Sequence, residues 1–370
     1  DPGEMGDNLA TVSLGTSRTV VMGSSGTNHS CVLLDNGAVK CWGSNDAGQL
    51  GYGDIVNRGG SGGQMGESLP TVNVGTNRVA LSIASGNRHN CALLENGDLK
   101  CWGSNEYGQL GYGSTLNIGD DAGEMGNALG RVNLGDAGAV QHVAAGGSSN
   151  CATFPSGAMK CWGAGADGRL GTEDVFDRGV NMSEMGDALL AIDAGTGISI
   201  VRGVVGQSNA CAMLSDFTIK CWGDGANGQL GMGNVVDLGN DPGEMGNALP
   251  RVSLGDAGIS VLSLTGGNNR HCAILDTERV KCWGNNDNGQ VAVPAGLSGV
   301  TAIAAGAAHT VALKSDGTVV AWAWNYYGQT NVPSDLNGVV AIAGGSGHSL
   351  ALKSDGTVVA WGNPDDISIP

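Results

Sequence analysis

His29-Ser-Cys31-Val-Leu-Leu34-Asp35-Asn36-Gly37-Ala-Val-Lys40-Cys41-Trp42 is the stretch on which the fold turns. Two short runs of β-favouring residues flank Asp-Asn-Gly, a hairpin signal. With Asp35, Asn36 and Gly37 as a three-residue loop and the glycine left-handed, Leu34 faces Ala38. Counting outward, Leu33 faces Val39, Val32 faces Lys40 and Cys31 faces Cys41. Facing strand residues lie roughly 4.5–5.5 Å apart at Cα, within reach of a disulfide. Register and cysteine spacing are independent readings, and they agree.

The stretch recurs along the chain. Trp42, Trp102, Trp162, Trp222, Trp283, Trp322 and Trp361 stand at one point of a repeat, separated by 60, 60, 60, 61, 39 and 39 residues. Units of this size cannot bury their own apolar faces and must stack on neighbours. An apolar segment such as 300–306 precedes each hairpin. Trp-Gly-x-Asn-x-x-Gly-Gln-Leu-Gly follows it in 42–51 and 102–111, then a short strand such as 249–255 or 330–333. Four short strands per unit, seven units and no helical period predict an all-β, seven-bladed propeller of four-stranded blades. Residues 1–370 form one such body, with five long repeats over about 1–290 and two short ones over about 291–370.

The repeated residues read as structural. The tryptophans are expected to pack between blades. His29, His89, His271, His309 and His348 occupy nearly the same site, where units three and four carry Ser149 or Asn, so hydrogen bonding to turns is expected. Units four and five lack the loop glycine, with Ser215-Asp216-Phe217 and Asp276-Thr277-Glu278 in its place, which predicts strain or another turn type.

All ten cysteines fall in five pairs of one spacing: Cys31/Cys41, Cys91/Cys101, Cys151/Cys161, Cys211/Cys221 and Cys272/Cys282. Units six and seven hold Val311/Ala321 and Leu350/Ala360 there. Joint appearance and joint loss predict five local disulfides and an oxidising compartment. A structural zinc would need Cys-x2-Cys pairs, which are absent.

The chain has 370 residues, 66 of them glycine, and 35 acidic against 18 basic residues, a formal charge of −17. That surface repels phosphate backbones, so nucleic-acid binding is not expected. No apolar run approaches the ~20 residues that cross a bilayer. No secretory leader is seen, and the chain opens inside a repeat, as a processed chain would. The cysteines point to an extracellular or cell-surface location, with the periplasm also compatible.

The Ala-Gly-x-x-His…Ala-Leu…Asp-Gly-x-Val…Trp-Gly-x-Asn…Gly-Gln-Leu-Gly pattern resembles the repeats of the regulator of chromosome condensation family. Seven copies in register cover nearly the whole chain. In units six and seven, Ala-Leu-Lys-Ser-Asp-Gly-Thr-Val-Val-Ala-Trp is similar to the short repeats of secreted bacterial β-lactamase inhibitory propellers. The resemblance implies a seven-bladed propeller that acts as a binding surface. Nuclear exchange and chromatin binding, known in the family, fit neither the cysteines nor the acidity. The inhibitory propellers bind through aromatic and polar residues on one rim, a feature matched here by Trp324, Tyr326 and Tyr327.

Long units carry about 21 additional residues, as in 53–69, and long loops inside a compact repeat are commonly functional or self-packed. In one reading Met-Gly and Leu plug each insert onto its blade. In another, Asp120, Asp121, Glu124, Asp241 and Glu244 offer oxygens to Ca²⁺. The first copy has Gly60, Ser61 and Gln64 at those places, so at most some inserts would bind. Lying at one blade position, the inserts should gather on one side as a multivalent surface.

Two segments compete for the outer edge of the last blade, 9–15 and 366–370, with the first favoured. No nucleophile–base–carboxylate trio stands outside the repeat pattern, so catalysis is not expected. The expected function is a binding scaffold for a protein partner or for self-assembly. A glycan-binding propeller and a secreted enzyme inhibitor are the alternatives.

Overall fold

A computed structural model of the chain describes residues 12–15, 18–255 and 258–363. Each unit forms an antiparallel sheet with an inner, a middle and an outer strand. In blade one these are Val20–Ser25, His29–Leu34 and Val39–Gly43; in blade two, Ala80–Ser85, His89–Leu94 and Leu99–Gly103. Blade three comprises His142–Gly146, Ser149–Thr153 and Met159–Gly163, and blade four Ile200–Val205, Asn209–Leu214 and Ile219–Gly223. Blade five has Val261–Gly266, Arg270–Leu275 and Val280–Gly284; blade six, Val300–Ala305, His309–Lys314 and Val319–Ala323. Blade seven closes the series with Val339–Gly344, His348–Lys353 and Val358–Gly362. Inner strands from all seven blades line a central channel, the arrangement of a seven-bladed propeller.

The hairpin register is the expected one. Leu33 pairs with Val39, Val32 with Lys40 and Cys31 with Cys41, and every other unit repeats it. Cys31 is bonded to Cys41, Cys91 to Cys101, Cys151 to Cys161, Cys211 to Cys221 and Cys272 to Cys282, with S–S distances of 2.04–2.12 Å. Each bridge joins the middle strand of a blade to its outer strand. Gly37 sits at φ 77° in the loop, and Phe217 and Glu278 hold the same left-handed conformation at φ 61° and 58°. Units four and five therefore keep the turn type and accept its strain, which for a residue with a Cβ is of order 1–2 kcal/mol.

The core consists of seven clusters, one at each junction between neighbouring blades. Trp102 packs with Leu33, Val39 and Leu50 of blade one and donates its indole N–H to Gln49 O at 3.1 Å. Trp162, Trp222, Trp283, Trp322 and Trp361 do the same to the preceding unit. The Gly-Gln-Leu-Gly segment thus receives the next blade's indole. At Gly51 a Cβ would lie 2.7 Å from the Trp102 indole nitrogen.

Three strands per blade, where four were expected, has a physical reason. In an antiparallel pair alternate residues of the outer strand turn their N–H and C=O away from the partner. The segment read as a fourth strand meets one such group, Val72 N–H donating to Val39 O at 2.8 Å. The next residue outward, Cys41, is met by the Tyr52 hydroxyl, and Gly43 by the backbone of Arg58. Three separate pieces share the edge, and Pro70 and Pro250 shorten the ladder further because they lack an N–H.

Val12 N–H donates to Val358 O at 2.9 Å, so the N-terminal segment covers blade seven as 72–74 covers blade one. Val12 packs with Val20, Trp42, Leu350 and Val358 in the closing junction. The rival segment, 366–370, and residues 9–11 lie outside the described residues, as does the insert tail at 1–6.

Candidate functional site

The bridged cysteines belong to the frame and not to a binding surface. Cys31, Cys41, Cys91, Cys101, Cys151, Cys161, Cys211, Cys221 and Cys272 are buried, and no free thiol remains. Cys101, Cys161 and Cys221 lie on outer strands, yet each is wholly enclosed. Over Cys101 the Tyr112 hydroxyl accepts the backbone N–H and donates to its carbonyl, as Tyr52 does over Cys41. Cys161 and Cys221 have Leu170 and Leu230 of the following loop in their clusters. A ligand cannot reach these sulfurs, so their part in binding is to hold the surface that bears the site.

The recurring polar residues form an internal belt. His29 Nε2 lies 3.1 Å from Asn90 Oδ1, His89 Nε2 3.0 Å from Asn150 Oδ1, and His309 Nε2 2.8 Å from Ser349 Oγ. Ser30 Oγ and His348 Nε2, 3.1 Å apart, tie blade seven to blade one. Burial lowers His29 and His89 to about 4 and His309 to about 3. These rings are neutral spacers, with the ring filling the room left by Gly26, Gly86 and Gly306.

Unit five departs from the sequence reading. Arg270 pairs with Gly284 as His29 pairs with Gly43, so Arg270 holds the histidine place and His271 sits one residue on, opposite Trp283. The Arg270 guanidinium donates to Ala307 O and Gly306 O at 2.9 Å and to His309 O. Burial draws it down to about 10, so it stays charged at neutral pH.

A second repeated group fastens the inserts. Lys40 Nζ donates to Leu14 O and Gly66 O at 2.8 Å, Lys160 to Leu134 O and Gly186 O, and Lys220 to Ala194 O and Gly246 O. Desolvation depresses Lys40, Lys100 and Lys220. Unit five has no insert after its tryptophan, and there Lys281 is exposed. Met65, Met185, Met245 and the leucines that follow are buried, which supports the plug reading.

The proposed calcium residues occupy these same inserts. Glu124 Oε2 accepts N–H bonds from Gly119 and Asp121, and Glu244 Oε2 from Gly239, Asn240 and Asp241, with Gln64 doing the same for Gly59 and Ser61. Gln64 shows that this bonding needs an oxygen and no net charge. Asp120, Asp121 and Asp241 lie beside those glutamates, and among the described residues no cluster of three or more His, Cys, Asp or Glu could hold a metal ion.

The inserts carry residues that sequence reading missed. Ile55 and Val56, Leu116, Val175 and Phe176, and Val235 and Val236 are exposed at one insert position, 60 residues apart. A side chain two residues earlier braces each: Asp54 takes Val56 N–H at 2.9 Å, Ser114 takes Leu116, Asp174 takes Phe176 and Asn234 takes Val236. Arg58 and Arg178 hold Asp54 and Asp174 in turn. Neighbouring inserts touch, with Gly53 N–H donating to Gly119 O at 3.0 Å. The 60-residue columns hold this signal, since apolar pairs there belong to no strand.

Trp324, Tyr326 and Tyr327 come together on blade six. Trp324 stacks on Tyr326 at 6.2 Å between centroids, and Tyr327 meets both edge-on at 5.4 and 4.9 Å. Tyr326 is 77% exposed and Tyr327 40%. Unit one has Ser44, Asp46 and Ala47 at these places. The loop is anchored by Thr330 N–H to Asn325 Oδ1 and Tyr327 N–H to Gln329 Oε1, both 2.9 Å, so the rings stand on a braced turn. Beside them Ala323 takes φ 87°, where every other unit has glycine. At Gly43 a Cβ would fall 2.5 Å from Asn28 O.

The family profile described as Regulator of chromosome condensation (RCC1) repeat matches residues 23–49, 81–109, 261–290, 300–329 and 339–366. The E3 ubiquitin-protein ligase HERC2 of Homo sapiens is 29% identical over 303 residues, covering 78% of this chain and 6% of that protein. The ultraviolet-B receptor UVR8 of Arabidopsis thaliana is 28% identical over 221 residues, 60% of this chain and 45% of the receptor. The chain thus spans less than half the length of either relative. Among solved structures, Prp20p of Saccharomyces cerevisiae superposes with a TM-score of 0.71 at 17% identity, over 94% of this chain and 84% of that one. The ectodomain of the Physcomitrella patens receptor kinase CR4 gives 0.59 at 20% identity, over 94% and 75%. At these identities the structures speak to fold alone.

Proposed function

Because the chain is a propeller built of regulator of chromosome condensation (RCC1) repeats, we propose that it is an extracellular, non-catalytic scaffold that binds another protein. The observation that carries this is the braced cluster of Trp324, Tyr326 and Tyr327, aromatic where unit one has Ser44, Asp46 and Ala47. Exposed aromatic groups on a rigid frame are what protein interfaces use as anchors, since little rotamer freedom is lost on binding. The exposed apolar pairs of the inserts supply a second, multivalent surface suited to a repetitive partner or to a further copy. The buried disulfides favour an oxidising compartment. Ligase and ultraviolet-B receptor activity belong to relatives of which the chain matches only 6% and 45%, and they form no part of the proposal.

Affinity capture from the source organism's extracellular material, with the intact chain and with a Trp324→Ala/Tyr326→Ala/Tyr327→Ala variant, tests the reading. A protein present with the first and missing with the second, at equal melting temperature, is expected. Identical captures would sink it. Glycan-array binding lost in the same variant, with no protein partner, would replace it by the lectin reading, and inhibition of a secreted hydrolase such as a β-lactamase would specify it as an inhibitor. Calcium enters the proposal only through Asp120, Asp121 and Asp241, since an oxygen of Glu124 and of Glu244 already serves backbone amides. Equilibrium dialysis with ⁴⁵Ca²⁺ and an Asp120→Asn/Asp121→Asn variant tests that part.

A further inference from the structure

The outer edges of the blades are not treated alike. In blades one to four an extended segment of the chain donates one N–H to the first outward carbonyl. The bonds are Val72 to Val39, Val132 to Leu99, Ile192 to Met159 and Val252 to Ile219, at 2.7–2.9 Å. Val12 does this for Val358 in blade seven. The covering segment alternates, with Val72 and Val74 buried and Thr71 and Asn73 exposed. After the tryptophans of blades five and six the chain makes no such bond among the described residues: Val332 N–H donates to Thr330 O, and Val332 and Leu336 join the cluster of Val319 without pairing to its backbone. Along Val319–Ala323 the outward groups of Val319, Ala321 and Ala323 have no hydrogen bond to another described residue.

Blades five and six differ in what their open edges present. Exposed Lys281 stands on the open edge of blade five, at the register position that Lys40, Lys100, Lys160 and Lys220 hold on the covered blades. Blade six has Val320 in that register position, and its edge reads Val-Val-Ala-Trp-Ala with no charge. Four of those five residues are partly exposed, whereas the outer strands of blades two, three and four are buried throughout. The strand runs directly into Trp324, Tyr326 and Tyr327.

We propose that the outer edge of blade six receives an extended segment of a partner polypeptide as an added strand, with the aromatic cluster flanking it. The proposal rests on the reading of blade six as a partner-binding surface and names the form the partner takes there. The molecule itself displays the matching chemistry five times: an extended segment with β-branched or other apolar residues at alternate positions, one of which donates its amide to the first outward carbonyl. Main-chain bonding of this kind supplies affinity, and side-chain pockets beside it supply selectivity.

The probe is a fluorescein-labelled peptide of residues 68–76 of this chain, titrated into the full-length protein. Saturable one-to-one binding is expected. N-methylation at the residue equivalent to Val72 removes the donated hydrogen and should weaken binding about tenfold, the scale of one lost hydrogen bond in a dry contact. Ala321→Pro, at an edge residue whose outward N–H makes no bond to another described residue, removes a donor and blocks the incoming strand, and should weaken it at least as much. No saturable binding, equal binding of the N-methylated peptide, or equal binding to a folded Ala321→Pro protein would each overturn the proposal. The N-methyl comparison uses unaltered protein, so misfolding of the variant does not affect it. Binding insensitive to N-methylation but lost in the triple aromatic variant would remove the added strand and leave the aromatic surface standing. Binding sensitive to N-methylation and indifferent to the aromatic substitutions would do the reverse.

Discussion

Ala323, Phe217 and Glu278 hold conformations that the other units assign to glycine, at φ 87°, 61° and 58°. Replacing Phe217 or Glu278 by glycine should raise stability by about 1 kcal/mol each, the relief of a left-handed Cβ less the added chain entropy. Urea denaturation of the single variants checks this, and a loss of stability would refute it. Ala323→Gly should stabilise by a similar amount unless the strained alanine shapes the aromatic loop, in which case partner binding falls as stability rises. The buried histidines set a pH dependence. His29, His89, His271 and His309 are lowered to about 3–4 from 6.5, chiefly by burial, so the unfolded chain binds protons that the folded chain refuses. Their contribution is fully present above about pH 6.5 and is lost as pH falls from there toward 4. In His89→Asn, which copies the natural Asn209, the slope of stability against pH in that window should shrink by up to about 1.4 kcal/mol per pH unit. An unchanged slope would show that His89 does not titrate on unfolding.

At the scale of the element, each insert is an outgrowth clamped by one lysine. Lys160→Met removes the donor to Leu134 O and Gly186 O and should cost about 2–4 kcal/mol, since two buried carbonyls lose their partner. Limited proteolysis should then cut within 173–189 before any other insert, and uniform resistance would argue against the clamp. The hairpins were legible from sequence because their evidence is local: the spacing Cys31 to Cys41 and the loop at Gly37 fix the same register. The fourth strand was not, because its place on the edge is shared with the Tyr52 hydroxyl and the Arg58 backbone, contacts that no period announces. His271 was misplaced by matching histidine to histidine; counting two residues back from Cys272 places Arg270 in the belt. The row of lysines 40, 100, 160 and 220 was visible in the text, but its burial depends on carbonyls 26 residues away on either side. The exposed pairs Ile55-Val56 and Val175-Phe176 were equally visible, and only the fold shows that they face solvent. Trp324, Tyr326 and Tyr327 touch one another, as three aromatic residues in four positions of a braced turn must.

For the whole molecule, the ring has two sectors, four blades wrapped by inserts and a barer stretch in which blades five and six keep an open edge. The disulfides should report that boundary. Cys282 is partly exposed, whereas the other nine cysteines, Cys101, Cys161 and Cys221 on the outer strands of wrapped blades among them, are buried, because no insert covers blade five. Stepwise reduction with alkylation should label Cys272 and Cys282 first, read by peptide mass spectrometry, and a random order would show that the inserts shield nothing. Each remaining bridge closes a loop of about eleven residues and should contribute roughly 2–3 kcal/mol on chain-entropy grounds.

Every indole from Trp102 to Trp361 reaches backward, onto the Gly-Gln-Leu-Gly segment of the unit before it or its counterpart. The ring therefore has a sense of rotation that coincides with the direction of translation. Each of these blades therefore seats on one earlier in the chain, whereas the seam at Val12–Val358 and Ser30–His348 joins the first blade to the seventh. The geometry is that of a spiral staircase, each tread resting on the one before it and the seam resting on both ends.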